Sequence, residues 1–167
     1  MSRIAHRAGA LWICLALAAC GFQPLYSTRA AGPSVNGELA SVAVLEQKTR
    51  LGQLIRNELI STMSPPGQEA PPRYALELLP RAAEEVTIQG FDTGVLRRSF
   101  QVDVDFRLLD ADLAEVLYAG RTFSQASYDR TGTPFANRQA RIAAEERAAR
   151  EVGSDIATRL AAFFASR

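Results

Sequence analysis

The sharpest pattern in the chain is an alternation. Phe100, Val102, Val104, Phe106 and Leu108 alternate with Gln101, Asp103, Asp105 and Arg107, a period of two held for nine residues. That period puts the apolar side chains on one face of a strand and the polar ones on the other, as in an antiparallel strand between a core and water. After a tight turn at Asp110-Ala111-Asp112, Val116 to Tyr128 reads as a returning partner strand, less apolar, with Gly120 marking a bulge or a close approach. Upstream, Tyr74, Leu76 and Leu78 alternate in the same way, Pro80 marks a strand end, bulge or edge, and Arg81 to Ile88 extends the run toward a turn at Gln89 to Gly94. Leu39 to Leu45, bounded by Gly37 and Glu46-Gln47-Lys48, suits a short first strand.

Two segments carry the helical period instead. Leu51, Leu54, Ile55, Leu59, Ile60 and Met63 form one apolar stripe, with Thr49 as the expected N-cap and Ser64-Pro65-Pro66-Gly67 as the stop. From Phe135 to about Ala165, Ile142, Ala149, Ile156 and Phe163 recur every seven residues and Val152, Leu160 and Phe164 fill adjacent positions. Glu146 and Arg150 stand at favourable i,i+4 spacing, and Gly153 marks either a weak point or a packing contact. The predicted order is β-α-β-β-β-α. It packs most simply as a two-layer α+β sandwich, a four-stranded mostly antiparallel sheet with two helices on one face.

The first nineteen residues do not belong to that pattern. Arg3 and Arg7 precede an apolar run from Ala8 to Ala19, the layout of a secretory signal. At about twelve residues the run falls short of the roughly twenty that a membrane helix needs. Leu17-Ala18-Ala19-Cys20 then resembles a bacterial lipobox, whose cysteine becomes the lipid-modified first residue of the mature chain; the alternative is a buried thiol. The expected division is residues 1–19 as signal peptide, 20–37 as lipidated N-terminus and flexible tether, and 38–167 as the α+β domain. Within the Gly- and Pro-containing tether, Phe22, Leu25 and Tyr26 are the apolar exceptions, placed either at the membrane interface or against the domain or a partner.

Composition narrows the chemistry. Removing 19 residues from 167 leaves 148, one domain's worth of chain. The 19 basic residues fall to 17 against 18 acidic ones, so no basic field remains to suggest nucleic acid. His6, the one histidine, and Cys14 leave with the signal, and Cys20 becomes the mature chain's single cysteine. A Ser-His-Asp or Cys-His apparatus, a His-ligated metal site and an intramolecular disulfide are thereby excluded. No cofactor motif is present.

With these elements in place, Cys20-Gly21-Phe22-Gln23-Pro24-Leu25-Tyr26 resembles the mature N-terminus of the alphaproteobacterial LPS-assembly lipoprotein family LptE. Ala126-Ser127-Tyr128-Asp129, a short loop, Phe135-Ala136 and the alanine-rich helix with Ile156 and Leu160 are similar to that family's closing segment. The resemblance implies the β-α-β-β-β-α architecture and a non-enzymatic, lipid-anchored, periplasm-facing outer-membrane subunit. It implies a place within the β-barrel of an LptD partner, help in assembling that barrel, and lipopolysaccharide as the ligand. Gly21 after the cysteine agrees with the outer membrane, because inner-membrane retention is typically signalled by Asp at that position. The rival reading is a lipoprotein that binds or shuttles lipid alone.

A phosphorylated, acylated sugar calls for arginine beside apolar surface. Arg97-Arg98, opening the strongest strand, are the candidate lipopolysaccharide-binding residues, of which only one faces a given ligand, since neighbours in a strand point to opposite sides. Arg73, Arg81, Arg121 and Arg130 are weaker candidates. Asp103 and Asp105 form the one tidy carboxylate pair, on the polar face of the central strand; the readings are a metal or glycosidase site, a solvated face, or a surface against a barrel wall.

Overall fold

The computed structural model describes residues 34–64, 66–67, 70–89, 96–112 and 115–167. The signal, Cys20 and the tether to residue 33 lie outside the described residues, as does the expected turn at 90–94. In chain order the elements are α1 (Val35–Ala40), β1 (Val42–Val44), α2 (Arg50–Met63), β2 (Tyr74–Gln89), β3 (Leu96–Asp110), β4 (Val116–Arg130) and α3 (Pro134–Ala165). The sheet order is β1-β2-β3-β4. β1 runs parallel to β2, and the two long pairings that follow are antiparallel. The expected β-α-β-β-β-α order holds, with one short helix added in front.

That helix changes the start of the domain. Ser34 caps it by accepting from the Gly37 N–H at 3.1 Å, and the buried Glu38 carboxylate accepts from Arg73 at 3.0 Å and from the Tyr74 hydroxyl at 2.8 Å. Residues 34–37, expected as the end of a tether, are the cap and first turn of α1. Leu39 and Ala40, expected in the first strand, complete it, so β1 keeps only Val42–Val44. A partner some 35 residues away in sequence outweighs the local strand-like pattern.

Elsewhere the periods translate directly into burial. Thr49 caps α2 through the Gly52 N–H at 3.1 Å. Leu51, Ile55, Leu59 and Met63 are buried, while Ile60, expected in the stripe, is exposed at its margin. On β3, Phe100 to Leu108 are buried at every second residue. β4 is less apolar for a structural reason: Thr122 and Ser124 face α3 and donate to Asp155 at 2.5 Å and Glu151 at 2.7 Å, so its inward hydroxyls are satisfied. At about 1.5 Å per residue, the 32 residues of α3 span about 48 Å, close to the reach of a 15-residue strand, so the helix covers the sheet from end to end.

Both glycines singled out by the pattern are close approaches. A Cβ at Gly153 would lie 2.8 Å from Glu58 Cγ, where α3 presses on α2. A Cβ at Gly120 would lie 2.6 Å from Phe106 Cζ, because the ring of its cross-strand partner lies over it. The irregularity in the β3–β4 ladder falls at Leu108/Leu109 instead.

The long helices α2 and α3 pack on one face of the sheet, leaving the other uncovered among the described residues. The two ends are distinct. Near Tyr74 are α1 and the end of α3, where Tyr74 and Phe164 lie 5.2 Å apart. At the opposite end, the tip, β2 leaves toward β3 and β4 hands over to α3.

Candidate functional site

Arg97 and Arg98 stand at the tip, and the structure divides them between the two faces. Arg97 lies on the uncovered face, where its Nε and Nη2 donate to the two oxygens of Asp129, its cross-strand partner, at 2.8 and 3.3 Å. Those bonds raise the Arg97 pKa and hold Asp129 below the usual carboxylate range. The pair is half exposed, so water screens most of its attraction.

Arg98 points to the helix side and enters a four-residue cluster. Its Nη1 donates to Glu84 Oε1 at 3.0 Å, the Tyr128 hydroxyl donates to the same oxygen, and Arg141 Nε donates to Oε2 at 3.0 Å. Each of the four comes from a different element: Glu84 from β2, Arg98 from β3, Tyr128 from β4 and Arg141 from α3. Desolvation pushes the Glu84 carboxyl up, but the hydrogen bonds from Tyr128, Arg141 and Arg98 overcome it and bring its pKa to about 2. Burial, and then the bond to Glu84, raise the Tyr128 pKa. The Arg141 guanidinium also sits 5.3 Å from the centre of the Phe100 ring. Glu84, Tyr128 and Arg141, the partners of Arg98 in this cluster, are not singled out by the linear pattern. Glu84 alone carries a signal in the sequence, parity: like Arg98 it is a charged residue at a position in phase with the buried apolar ones.

The uncovered face holds a second constellation. Asp103 accepts from Gln101 at 2.9 Å and Arg121 at 3.1 Å; Asp105 accepts from Arg81, with Arg121 Nε at 3.8 Å. The Gln101 bond and the Arg121 pairing hold Asp103 below its ordinary pKa against the opposing pull of desolvation. A glycosidase acid needs a raised pKa, so this environment runs the wrong way for that role. No group of three metal-ligating side chains occurs among the described residues. The same face exposes Leu79 (56 %) and Phe123 (68 %), apolar side chains flanking the charge network. Of the weaker candidates, Arg73 pairs with Glu38 at the opposite end, Arg81 and Arg121 belong to this network, and Arg130 closes β4 at the tip.

The sheet edges differ in accessibility. Tyr74 N and Leu76 O both bond to the β1 segment, so even-numbered residues of β2 aim their backbone groups outward. Pro80 therefore places its missing N–H on the edge that β1 leaves bare, and Gln47 reaches the Leu78 carbonyl at 3.5 Å. On the far side, a groove of about 610 Å³ runs between β4 and α3, lined by Arg121, Phe123, Glu151, Asp155, Thr158 and Arg159. Arg147 donates to the Ser127 carbonyl near its upper end at 3.1 Å. Among the described residues no helix is long and apolar enough to cross a membrane.

The protein-family model LptE, described as lipopolysaccharide-assembly, matches residues 39–160. No curated protein matches closely enough to count. Among solved structures, a candidate lipoprotein from Caulobacter crescentus CB15 is 29 % identical, with a TM-score of 0.65 over 80 % of this chain and 97 % of that one. A minor lipoprotein from Acinetobacter baumannii, 12 % identical, shares the fold at a TM-score of 0.53 over 72 % of this chain and 88 % of that one.

Proposed function

The chain belongs to the LptE lipopolysaccharide-assembly family, and from that premise we propose that it is a non-enzymatic outer-membrane lipoprotein subunit of the LPS translocon. In this reading it is anchored through Cys20, sits as a plug inside an LptD-type β-barrel, assists the assembly of that barrel and binds lipopolysaccharide on its way to the outer leaflet. The family match over residues 39–160 is the observation that carries it.

The geometry supports the plug and the ligand contact. A lumen wall is polar and studded with charge, and the uncovered sheet face answers in kind: carboxylates and arginines are already paired, with Leu79 and Phe123 left to exclude water. A surface whose charges are internally compensated docks without stranding a buried ion. The tip offers Arg97 and Arg98, the proposed lipopolysaccharide-contacting residues, on its two sides. Ser34, where the lipidated segment would join the domain, caps α1 at the opposite end, so that junction and the arginine tip are separated by about the 50 Å length of the long strands. A multiply acylated cysteine anchors firmly, because each buried CH₂ contributes about 0.8 kcal/mol.

Mild-detergent extraction of membranes tests the central claim. The expected result is co-purification with a large, heat-modifiable barrel protein. Recovery of this protein alone, with surface lipopolysaccharide unchanged on its depletion, would replace the translocon reading with that of a stand-alone lipid-binding lipoprotein.

A further inference from the structure

We propose that Arg98, Arg141 and Tyr128 form a binding site for a phosphate monoester, and that the Glu84 carboxylate holds the anion's place until such a ligand displaces it. The inference rests on the lipopolysaccharide-binding reading and adds to it which groups grip the phosphate and what keeps the site closed.

Three donors from three elements converge on one carboxylate. A salt bridge that only ties a strand to a helix needs one arginine; two guanidinium groups and a hydroxyl around one anion are the donor set that recognises phosphate. The carboxylate fills this set incompletely. Its two oxygens serve three donors, and the Arg98 Nε is buried with no hydrogen-bond partner, a costly state for a guanidinium N–H. A phosphate monoester presents three terminal oxygens, one more acceptor atom than Glu84 supplies. Glu145, buried on α3, adds its field to Arg141 and does not appear among the hydrogen-bonded groups of the cluster.

Two of the donors are buttressed by the fold, and the acceptor sits on β2, the outer strand of the sheet where β1 has ended. The Tyr128 ring is buried on the inner face of β4, and Arg141 lies over Phe100. Glu84 is on β2 well beyond Tyr74–Leu76, the stretch that β1 covers, so among the described residues no strand lies outside it, and its side chain keeps 23 % of its surface open to water, the side from which a ligand would displace it. The surroundings suit a phosphate carried on an acylated sugar: Val86, exposed, is the cross-strand partner of Arg98, and the exposed Phe135 stands at the same end on the first turn of α3.

The test uses the full chain in detergent with three probes: lipopolysaccharide, the same material stripped of its phosphates, and inorganic phosphate. Glu84→Gln, with thermal midpoint and near-UV circular dichroism reporting the fold, is expected to bind phosphorylated lipopolysaccharide about tenfold more tightly than wild type, which is ~1.4 kcal/mol. Its affinity for the dephosphorylated form should not change, and Arg98→Gln with Arg141→Gln should abolish the gain. A folded Glu84→Gln protein with wild-type or weaker affinity overturns the proposal. If Glu84→Gln fails to fold, Glu84→Asp, too short to reach both arginines, should give a smaller gain, and none refutes the gate. If no form binds lipopolysaccharide but inorganic phosphate moves the Arg98 and Arg141 Nε resonances of the glutamine or aspartate variant, the anion site stands and the lipid reading falls. Phosphate without effect on those resonances removes the site.

Discussion

Replacing Gly120 by Ala should destabilise this protein, although the same change in most strands does the reverse. A strand-interior glycine is ordinarily worse than alanine by about 0.5–1 kcal/mol, through the backbone entropy it loses. Here the added Cβ would lie 2.6 Å from Phe106 Cζ and 3.0 Å from Cε1, well inside ordinary contact. The ring cannot retreat easily: Phe106 is 1 % exposed, is paired across the ladder with Gly120, and packs against Tyr118 at a centroid distance of 5.8 Å. Overpacking of this kind costs about 1–3 kcal/mol. Set against the entropic gain, it leaves a net loss centred on about 1 kcal/mol, or a fall of roughly 0.5 M in the urea midpoint at the slopes usual for small domains. The decisive assay is a double-mutant cycle read by urea unfolding. In a Phe106→Leu background the space exists, so Gly120→Ala should become neutral or stabilising, with a coupling of about 1–3 kcal/mol. Equal or higher stability of Gly120→Ala in the wild-type background refutes the argument, as does an unchanged penalty after Phe106→Leu.

Three further outcomes are expected. The folded Glu84 pKa of about 2 lies below the ordinary 4.5, so on acidification the unfolded chain takes up this proton first; its stabilisation is full above about pH 4.5 and is lost as pH falls through 2. Because the group is partly solvated, the effect is about 1–2 kcal/mol; urea midpoints between pH 6 and 3 should fall less steeply in Glu84→Gln, and parallel curves refute the linkage. Leu79→Ser with Phe123→Ser should leave the thermal midpoint within a few degrees but reduce barrel co-purification at least severalfold; undiminished capture assigns the interface elsewhere. Cys20→Ser should fold normally, judged by circular dichroism, yet appear in the soluble fraction when the barrel partner is absent, and firm membrane retention there would remove Cys20 as the anchor.

The elements that could be read from the chain are those whose own periodicity reports burial. β3 from Phe100 to Leu108, α2, and α3 from Ala144 to Phe164 each bury one face, so a period of two or of about 3.6 survives in the sequence there, while the first ten residues of α3 bury nothing and Ile142 and Phe163 are only partly covered. What could not be read depends on partners distant in the chain. α1 is held by Ser34 locally but by Arg73 and Tyr74 across the fold, and no window of ten residues contains that information. The tip cluster is less visible still, since Glu84, Arg98, Tyr128 and Arg141 meet only when three strands and a helix are in register.

Parity nonetheless marks both surfaces to which function is assigned. A polar face with a period of two looks the same whether it meets water or a protein wall, so Gln101, Asp103, Asp105 and Arg107 carry no hint of a partner. The residues out of phase do. Glu84 and Arg98 are charges at inward positions, where desolvation is costly unless something repays it. Leu79 and Phe123 are apolar at outward positions, where folding alone gains little from them. Stability accounts for the paired Glu84 carboxylate but not for the Arg98 Nε left without a partner, nor for Leu79 and Phe123. In the proposed function a ligand gripped at the tip accounts for the first and a wall docked on the sheet for the second, so the two surfaces should fail independently: Arg98→Gln with Arg141→Gln in lipopolysaccharide binding with the barrel still attached, and Leu79→Ser with Phe123→Ser in barrel attachment with binding intact.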